Sequence, residues 1–335
     1  MLRRIQRKLR RLTRPWLHRL APSALILLYH RVASREFDPQ LLCVTPEKFR
    51  AQVDYLRRHY TLISLPELVQ ALAARAVPRR CVVLTFDDGF ADNYLNALPI
   101  LEQARIPATV FVTSGFIGQP FEVWSDRLEQ FLFTPGLLAG VLTVQSAGET
   151  WQWKLGDCPA SLPAWDVTQP QFPSPRHRCY AELAARLRNL SAAQRFGIFG
   201  QLAAQAGRPE CVRDDRRLLT VAEIRALAGS GWVTIGSHGA HHLALGARPR
   251  EEQREELVAS RAALTQMAGC PVTLCAYPYG GPGDYTKLTQ QLAREAGYVA
   301  ACANEEGLAW SGSDAFRLPR LLVRNWTVDE LRRRL

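Results

Sequence analysis

Short apolar runs that alternate with helical patterns constrain this chain more than any other feature. The runs are "ALILLYH" (24–30), "CVVLTF" (81–86), "ATVFVTS" (108–114), "WVTIGS" (232–237), "VTLCAY" (272–277) and "YVAACA" (298–303). Their near-continuous apolar character, without polar alternation, is that of strands buried on both faces. Helix signals separate them. Pro46 opens a helical stretch to Arg58 with proline at the first turn. Ser64 with Glu67, and Thr220 with Glu223, form capping boxes. "NALPILEQA" reads as helical despite Pro99, and "REELVASRAALTQM" and "KLTQQLAREAG" carry helical periodicity. The alternation predicts a parallel sheet wrapped by helices, an α/β barrel. The length of 335 residues suits one such barrel.

One region breaks the rhythm. Residues 120–215 are rich in Pro, Trp and short alternating runs, and read as an insertion in one βα loop with a helical section from Ala181 to Ala206. The expected organisation is a terminal segment, 1–20, followed by a single catalytic domain, 21–335, that carries the insertion. No stretch approaches 18 uninterrupted apolar residues, so no transmembrane helix is expected.

The formal charge of +11 is concentrated at one end. Residues 1–20 hold eight Lys and Arg and no acids; the other 315 carry 34 basic and 31 acidic side chains, a net of +3. A basic body that grips nucleic acid is therefore not expected. Leu2, Ile5, Leu9, Leu12, Trp16 and Leu20 recur at spacings of three and four, an apolar helical stripe backed by cations. It reads either as an interfacial helix on anionic lipid or as a helix packed on the protein's own body. "ALILLY" is short and no small-residue cleavage site follows it, so export is not expected. The eight cysteines include no CxxC, and Cys81 and Cys302 sit in apolar runs. Buried free thiols in a reducing cytosol explain them better than a disulfide framework. The expected location is cytoplasmic, with possible peripheral attachment to the inner membrane face.

Chemistry enters at "LTFDDGFADNY" (84–94), where Asp87 and Asp88 stand side by side as an apolar strand stops. Asp-Asp-Gly is good turn chemistry. Carboxylates at the carboxyl end of a barrel strand also sit where ligands bind, and two can divide the work of holding a metal and taking a proton. Partners come at "TIGSHGAHHLAL" (234–245), where His238 and His242, four apart, follow another strand. On a helical turn they would converge on one metal, with His241 pointing elsewhere. Asp88, His238 and His242 would leave a coordination position open, the composition of a catalytic rather than a structural site. The other reading is a polar loop that happens to be histidine-rich.

"TFDDG", "SHGAHH" and "AYPYG" (276–280), in this order, resemble the polysaccharide deacetylases with the NodB homology domain, carbohydrate esterase family 4. "LLYHRV", "WSDRLE" and "FRLPR" further resemble the exopolysaccharide and lipopolysaccharide biosynthesis branch. The resemblance runs from about Ala24 to Trp326, apart from much of the insertion. It implies a distorted (β/α)7 barrel and removal of an N-acetyl group from an amino sugar in a glycan or a lipid-linked precursor. By position it implies Asp87 as general base, Asp88, His238 and His242 as ligands of a divalent metal, usually zinc, and Tyr279 with its backbone N–H at the oxyanion.

Two departures matter. Where many members carry the Arg of R-x-P-Y, this chain has Ala276; Arg127 of "WSDRLE" is the candidate to orient the base in its place, or else a helix-surface partner of Glu129. Where the late L-x-H motif supplies an acid, this chain has Leu318-Pro319-Arg320, and no histidine follows His242. Arg320 cannot serve as an ordinary acid. His30, ending the first strand, is the replacement candidate, with packing beside the metal site as its other reading. The enzyme reading stands against a sugar-binding or assembly protein of the same fold that lost its acid, and against an amide hydrolase on a small non-sugar molecule. Asp87 favours the enzyme, because a binding module has no need of a base.

Overall fold

The computed structural model describes residues 22–138, 140–158 and 164–335. The expected helix of residues 1–20 lies outside the described residues. The chain divides into two compact units. One comprises residues up to Ser34 together with Leu42–Ile117 and Leu219–Leu335; the other comprises Arg35–Leu41 and Gly118–Leu218.

The first unit is a nearly closed parallel barrel. Seven strands run in the spatial order Ala300–Cys302, Leu274–Ala276, Val233–Ser237, Ala108–Val112, Cys81–Phe86, Ala24–Tyr29 and Arg320–Leu322. An isolated parallel bridge between Cys302 and Leu318 brings the two edges together. Six of the seven strands lie in the apolar runs of the sequence, because both of their faces are covered; the seventh, Arg320–Leu322, lies outside those runs. Ala24, Ile26, Cys81, Val83, Phe111, Leu274, Ala300 and Cys302 share one buried cluster inside the barrel. Leu65, Leu68, Leu72 and Val77 join that cluster, so the helix Leu65–Ala73 stops the end of the barrel where the strands begin. Ser64 and Glu67 cap this helix, and Thr220 and Glu223 cap Val221–Gly229. The stretch "NALPILEQA" opens with a π-turn, Asn93–Ala97, before the α-helix Leu98–Ala104. A π-turn within a helix often accompanies a functional site.

The second unit holds the helix Trp124–Phe133, an antiparallel hairpin of Val141–Ser146 with Glu149–Lys154, and the helices Pro175–Leu187 and Ala192–Ala206. The single helical section expected over 181–206 is thus two helices, and Ser191 caps the second with Gln194. The hairpin has no counterpart in the sequence reading. Phe131, Leu142, Tyr180, Leu183, Ile198 and Phe199 lie in a core of the unit's own. That core explains why an expected loop insertion is a compact body: its elements bury their apolar faces on one another. The eight cysteines are all free, five of them buried.

Glycine is demanded inside the barrel at Gly236, where a Cβ would lie 2.4 Å from Phe111 Cδ1 and 3.3 Å from the Leu274 carbonyl oxygen. Neither neighbour can retreat without opening the sheet. Gly236→Ala is therefore expected to destabilise the protein by about 1–3 kcal/mol through overpacking, read as a lower denaturant midpoint at unchanged slope.

Candidate active site

The strand ends carry the chemistry. Asp87 and Asp88 follow Cys81–Phe86, His30 follows Ala24–Tyr29, and His238 follows Val233–Ser237. The Asp87 N–H donates to the Tyr29 carbonyl, 3.0 Å, which sets the first acid beside the end of the first strand. The chain then turns through left-handed backbone at Asp88 (φ 74°) and Gly89 (φ 82°). His242 (φ 53°) and Tyr279 (φ 62°) adopt the same region. Such conformations in non-glycine residues cost energy and cluster where the surrounding structure imposes a side-chain position.

Asp88, His238 and His242 each direct one ligand atom into a common point, and these atoms all lie within 4.8 Å of one another. Asp88 Oδ1 is 3.2 Å from His242 Nε2 and 3.5 Å from His238 Nε2. That oxygen is buried, yet meets no donor with hydrogen-bond geometry. A buried carboxylate oxygen facing two imidazole nitrogens in this way fits a divalent cation, with one oxygen and two nitrogen ligands. The hydrogen-bond partners around the ligands support the same use. His238 Nδ1 lies 2.8 Å from the Ala276 carbonyl oxygen, which can only accept, so Nδ1 bears the proton and Nε2 presents its lone pair. Burial pushes the His238 pKa down to about 4, against the pull of Asp87. Burial works to raise the Asp88 pKa, and His242, His30 and His238 more than reverse it, keeping the carboxylate ionised.

The His238–His242 segment is not the helical turn expected from its spacing. It is a loop in which Gly239 (φ 74°) and His242 take left-handed backbone. The helix Arg250–Ala268 holds this loop. Glu256 Oε2 accepts the N–H groups of Ala240 and His241, both 2.9 Å, and Oε1 pairs with His241 Nδ1. One turn further, Ser260 Oγ donates to the Gly239 carbonyl, 3.0 Å, and lies 2.8 Å from Ser237 Oγ. Glu256 and Ser260 lie four apart on one helix face, and together they fix the loop that carries both histidines.

Asp87 is held separately. Arg320 pairs with it bidentately, Nη1 to Oδ1 and Nη2 to Oδ2, both 2.7 Å. Arg320 also donates through Nε to the Ala303 carbonyl, 3.0 Å. Burial opposes ionisation of Asp87, but Arg320, His238 and His30 together hold its pKa below the ordinary carboxylate value. Asp87 Oδ2 is 3.7 Å from His238 Nε2, beside the three-ligand cluster. His30 feels the charges of both aspartates and of Arg320; burial lowers its pKa, and its buried Nδ1 has no hydrogen-bond partner. The Tyr279 ring meets the His242 ring edge to face, centroids 4.6 Å apart.

Arg127 does not take the part expected of it. It belongs to the second unit, where it pairs with Glu210 through two nitrogens and its guanidinium lies 3.6 Å from the centroid of the Phe199 ring. The alternative partner, Glu129, pairs instead with Arg213 and Arg216. Arg320 therefore orients Asp87 in place of the arginine absent at position 276. The sequence held a signal for this: a lone cation in the apolar run "LPRLLV" must be buried against a counter-charge if the run is a strand. Nothing local in the sequence marked Glu256.

The family model for polysaccharide deacetylases matches residues 74–140 and 179–301, more than half of the chain. The poly-β-1,6-N-acetyl-D-glucosamine N-deacetylase of Staphylococcus aureus is 32% identical over 110 residues, covering 29% of this chain and 38% of that protein. The chain spans about two fifths of the length of the curated relatives it matches. Among solved structures, a Streptococcus pyogenes deacetylase, PplD, in complex with acetate superposes with a TM-score of 0.58 at 18% identity, over 94% of this chain and 99% of that one. IcaB from Ammonifex degensii gives 0.57 at 18% identity, over 93% and 96%. These two likenesses establish the barrel as the deacetylase fold. The chain belongs to the polysaccharide deacetylase family.

Proposed function

We propose that the protein hydrolyses the N-acetyl group of an amino sugar within a glycan, with a divalent cation, zinc by preference, held by Asp88, His238 and His242. The observation that carries this reading is the convergence of those three ligand atoms beside a second carboxylate that Arg320 clamps. When bound, such a cation polarises the amide carbonyl and acidifies water. The ligand set needs no second carboxylate, which leaves Asp87 for proton transfer.

Asp87 accepts the proton of the attacking water. Its bidentate pair with Arg320 fixes the direction of the free lone pairs and keeps the group ionised. The same pair makes Asp87 a weak base that gives its proton up readily. His30, kept neutral by burial and coupled to Asp87, is assigned the passage of a proton to the leaving amine. Arg320 stays charged throughout and acts by positioning Asp87. The Tyr279 backbone, in its left-handed turn, is assigned to the oxyanion, where one lost donor typically costs about 10²–10³ in rate. The poly-N-acetylglucosamine deacetylase among the relatives supports a β-linked N-acetylglucosamine polymer as the first substrate to try.

Acetate release from N-acetylglucosamine oligomers, with zinc, cobalt or manganese added, tests this reading. Asp87→Asn is expected to keep the cation and lose at least about 100-fold in kcat, since it preserves shape and abolishes the base. Near-normal turnover would reduce Asp87 to a turn residue. His238→Ala is expected to lose the cation.

Glu256→Ala removes the acceptors that hold the Ala240 and His241 N–H groups and the His241 ring. Cation affinity is expected to fall about 10–100-fold, as is common when support behind metal ligands is removed. Titration with cobalt, followed by its visible absorption, reads this without turnover; unchanged affinity would show that the loop keeps its form without Glu256.

A further inference from the structure

Parallel strands give the barrel two unlike ends. Asp87, Asp88 and His238 follow strand ends at one. At the other, where strands begin, three segments meet: "RRHY" (57–60), ending the helix Pro46–His59; "RAVPRR" (75–80), leading into Cys81; and "RIP" (105–107), leading into Ala108. They contain six arginines and no acid. Thr61 pairs with Cys81 at its strand's first residue, the Thr61 N–H donates to the Arg80 carbonyl, and Val77 packs with Ala24 and Cys81. All six arginines are exposed. Arg80 stacks on Tyr60, 5.3 Å from the ring centroid. Arg57, Arg58, Arg75, Arg79 and Arg105 have no acidic partner among the described residues. The nearest acids along the chain are Asp54 and Glu102, each three residues before an arginine.

Cations at a helix end can serve only the helix dipole, but that accounts for Arg57 and Arg58 and not for Arg79 or Arg80. Two apolar side chains share this end. Trp310 and Val299 are each 50% exposed. Val299 directly precedes the strand Ala300–Cys302, and Trp310 follows Ala309, which bridges to Ala24. Arginines at the same end as an exposed tryptophan and an aliphatic side chain match the chemistry of a bilayer interface, where rings sit at headgroup depth and cations meet lipid phosphate.

We propose that the end of the barrel where its strands begin is a docking face for an anionic lipid bilayer. Docked so, the barrel turns its candidate active site away from the membrane, towards glycan in the aqueous phase. This inference does not depend on the proposed reaction.

The test is co-sedimentation of the full-length chain with phosphatidylcholine vesicles, with and without about 30% phosphatidylglycerol. Binding is expected only with the anionic lipid, and is expected to weaken as salt rises. The triple variant Arg57→Gln, Arg58→Gln, Arg79→Gln should lose roughly 100-fold in affinity, at about fivefold per cation. The same three positions changed to Lys should bind like the wild type. Hydrogen–deuterium exchange of the wild-type protein on vesicles should show protection at 57–60, 79–80 and 309–311, a readout that no variant's folding can disturb. Undiminished binding by the glutamine variant, or protection confined to residues 1–20, would overturn the proposal. So would tighter binding to a soluble nucleic acid than to the vesicles with the same dependence on these arginines.

Discussion

The ion pair of Arg320 with Asp87 sets the conditions for the rest of the site. Both groups are buried, Arg320 completely, and an unpaired charge there would cost several kcal/mol. The pair is therefore obligatory, and it joins residues 233 positions apart across the barrel interior. It orients the carboxylate bidentately, and its third anchor, the Ala303 carbonyl, ties the last strand to the segment after Ala300–Cys302 where the barrel closes. An oriented carboxylate, a strand-closing contact and a buried counter-charge are one feature here. The cost of burying charge is met by using it to fix geometry.

Around that pair the backbone divides into relaxed and strained parts. The barrel strands and capped helices have ordinary dihedrals and buried apolar faces. Three of the eight non-glycine residues with left-handed backbone among the described residues, Asp88, His242 and Tyr279, lie in the turns of the candidate site. Strain of this kind persists only when surrounding contacts hold it. For the histidine loop those contacts are named: Glu256 and Ser260 from the long helix Arg250–Ala268, and the Ala276 carbonyl behind His238. These contacts fix the backbone that carries both histidines.

Within the second unit, buried acids pair with arginines of the same unit. Arg213 bridges Glu122 and Glu129, Arg35 pairs with Asp126, and Arg127 pairs with Glu210. Three acids on one buried helix face and its approach, Glu122, Asp126 and Glu129, require these arginines, since burial raises the pKa of Glu122 and Glu129 despite them. "WSDRLE" is thus explained within this unit as a structural charge network. A motif that looked catalytic by resemblance is satisfied by local partners.

The sequence by itself determined six of the barrel's seven strands and marked residues that gather at their ends. Buried strands write themselves as unbroken apolar runs, because both faces are covered, and capping boxes such as Ser64–Glu67 act over three residues. Asp87, Asp88, His238 and His242 were legible because each stands where such a run ends. Tertiary structure decided what depends on distance along the chain. Arg320, and not Arg127, meets Asp87, because the closing strand Arg320–Leu322, separated from Cys81–Phe86 by one strand, sends the Arg320 side chain across the barrel interior to the strand-end carboxylate. The histidine loop takes a non-helical course, because Glu256, 14 residues beyond His242, captures its N–H groups. The region 118–218 is a compact unit with a hairpin and two separate helices, because its weakly periodic segments find their apolar partners only in one another. Local pattern fixes which backbone hydrogen bonds form; buried charge and non-local packing fix which side chains meet.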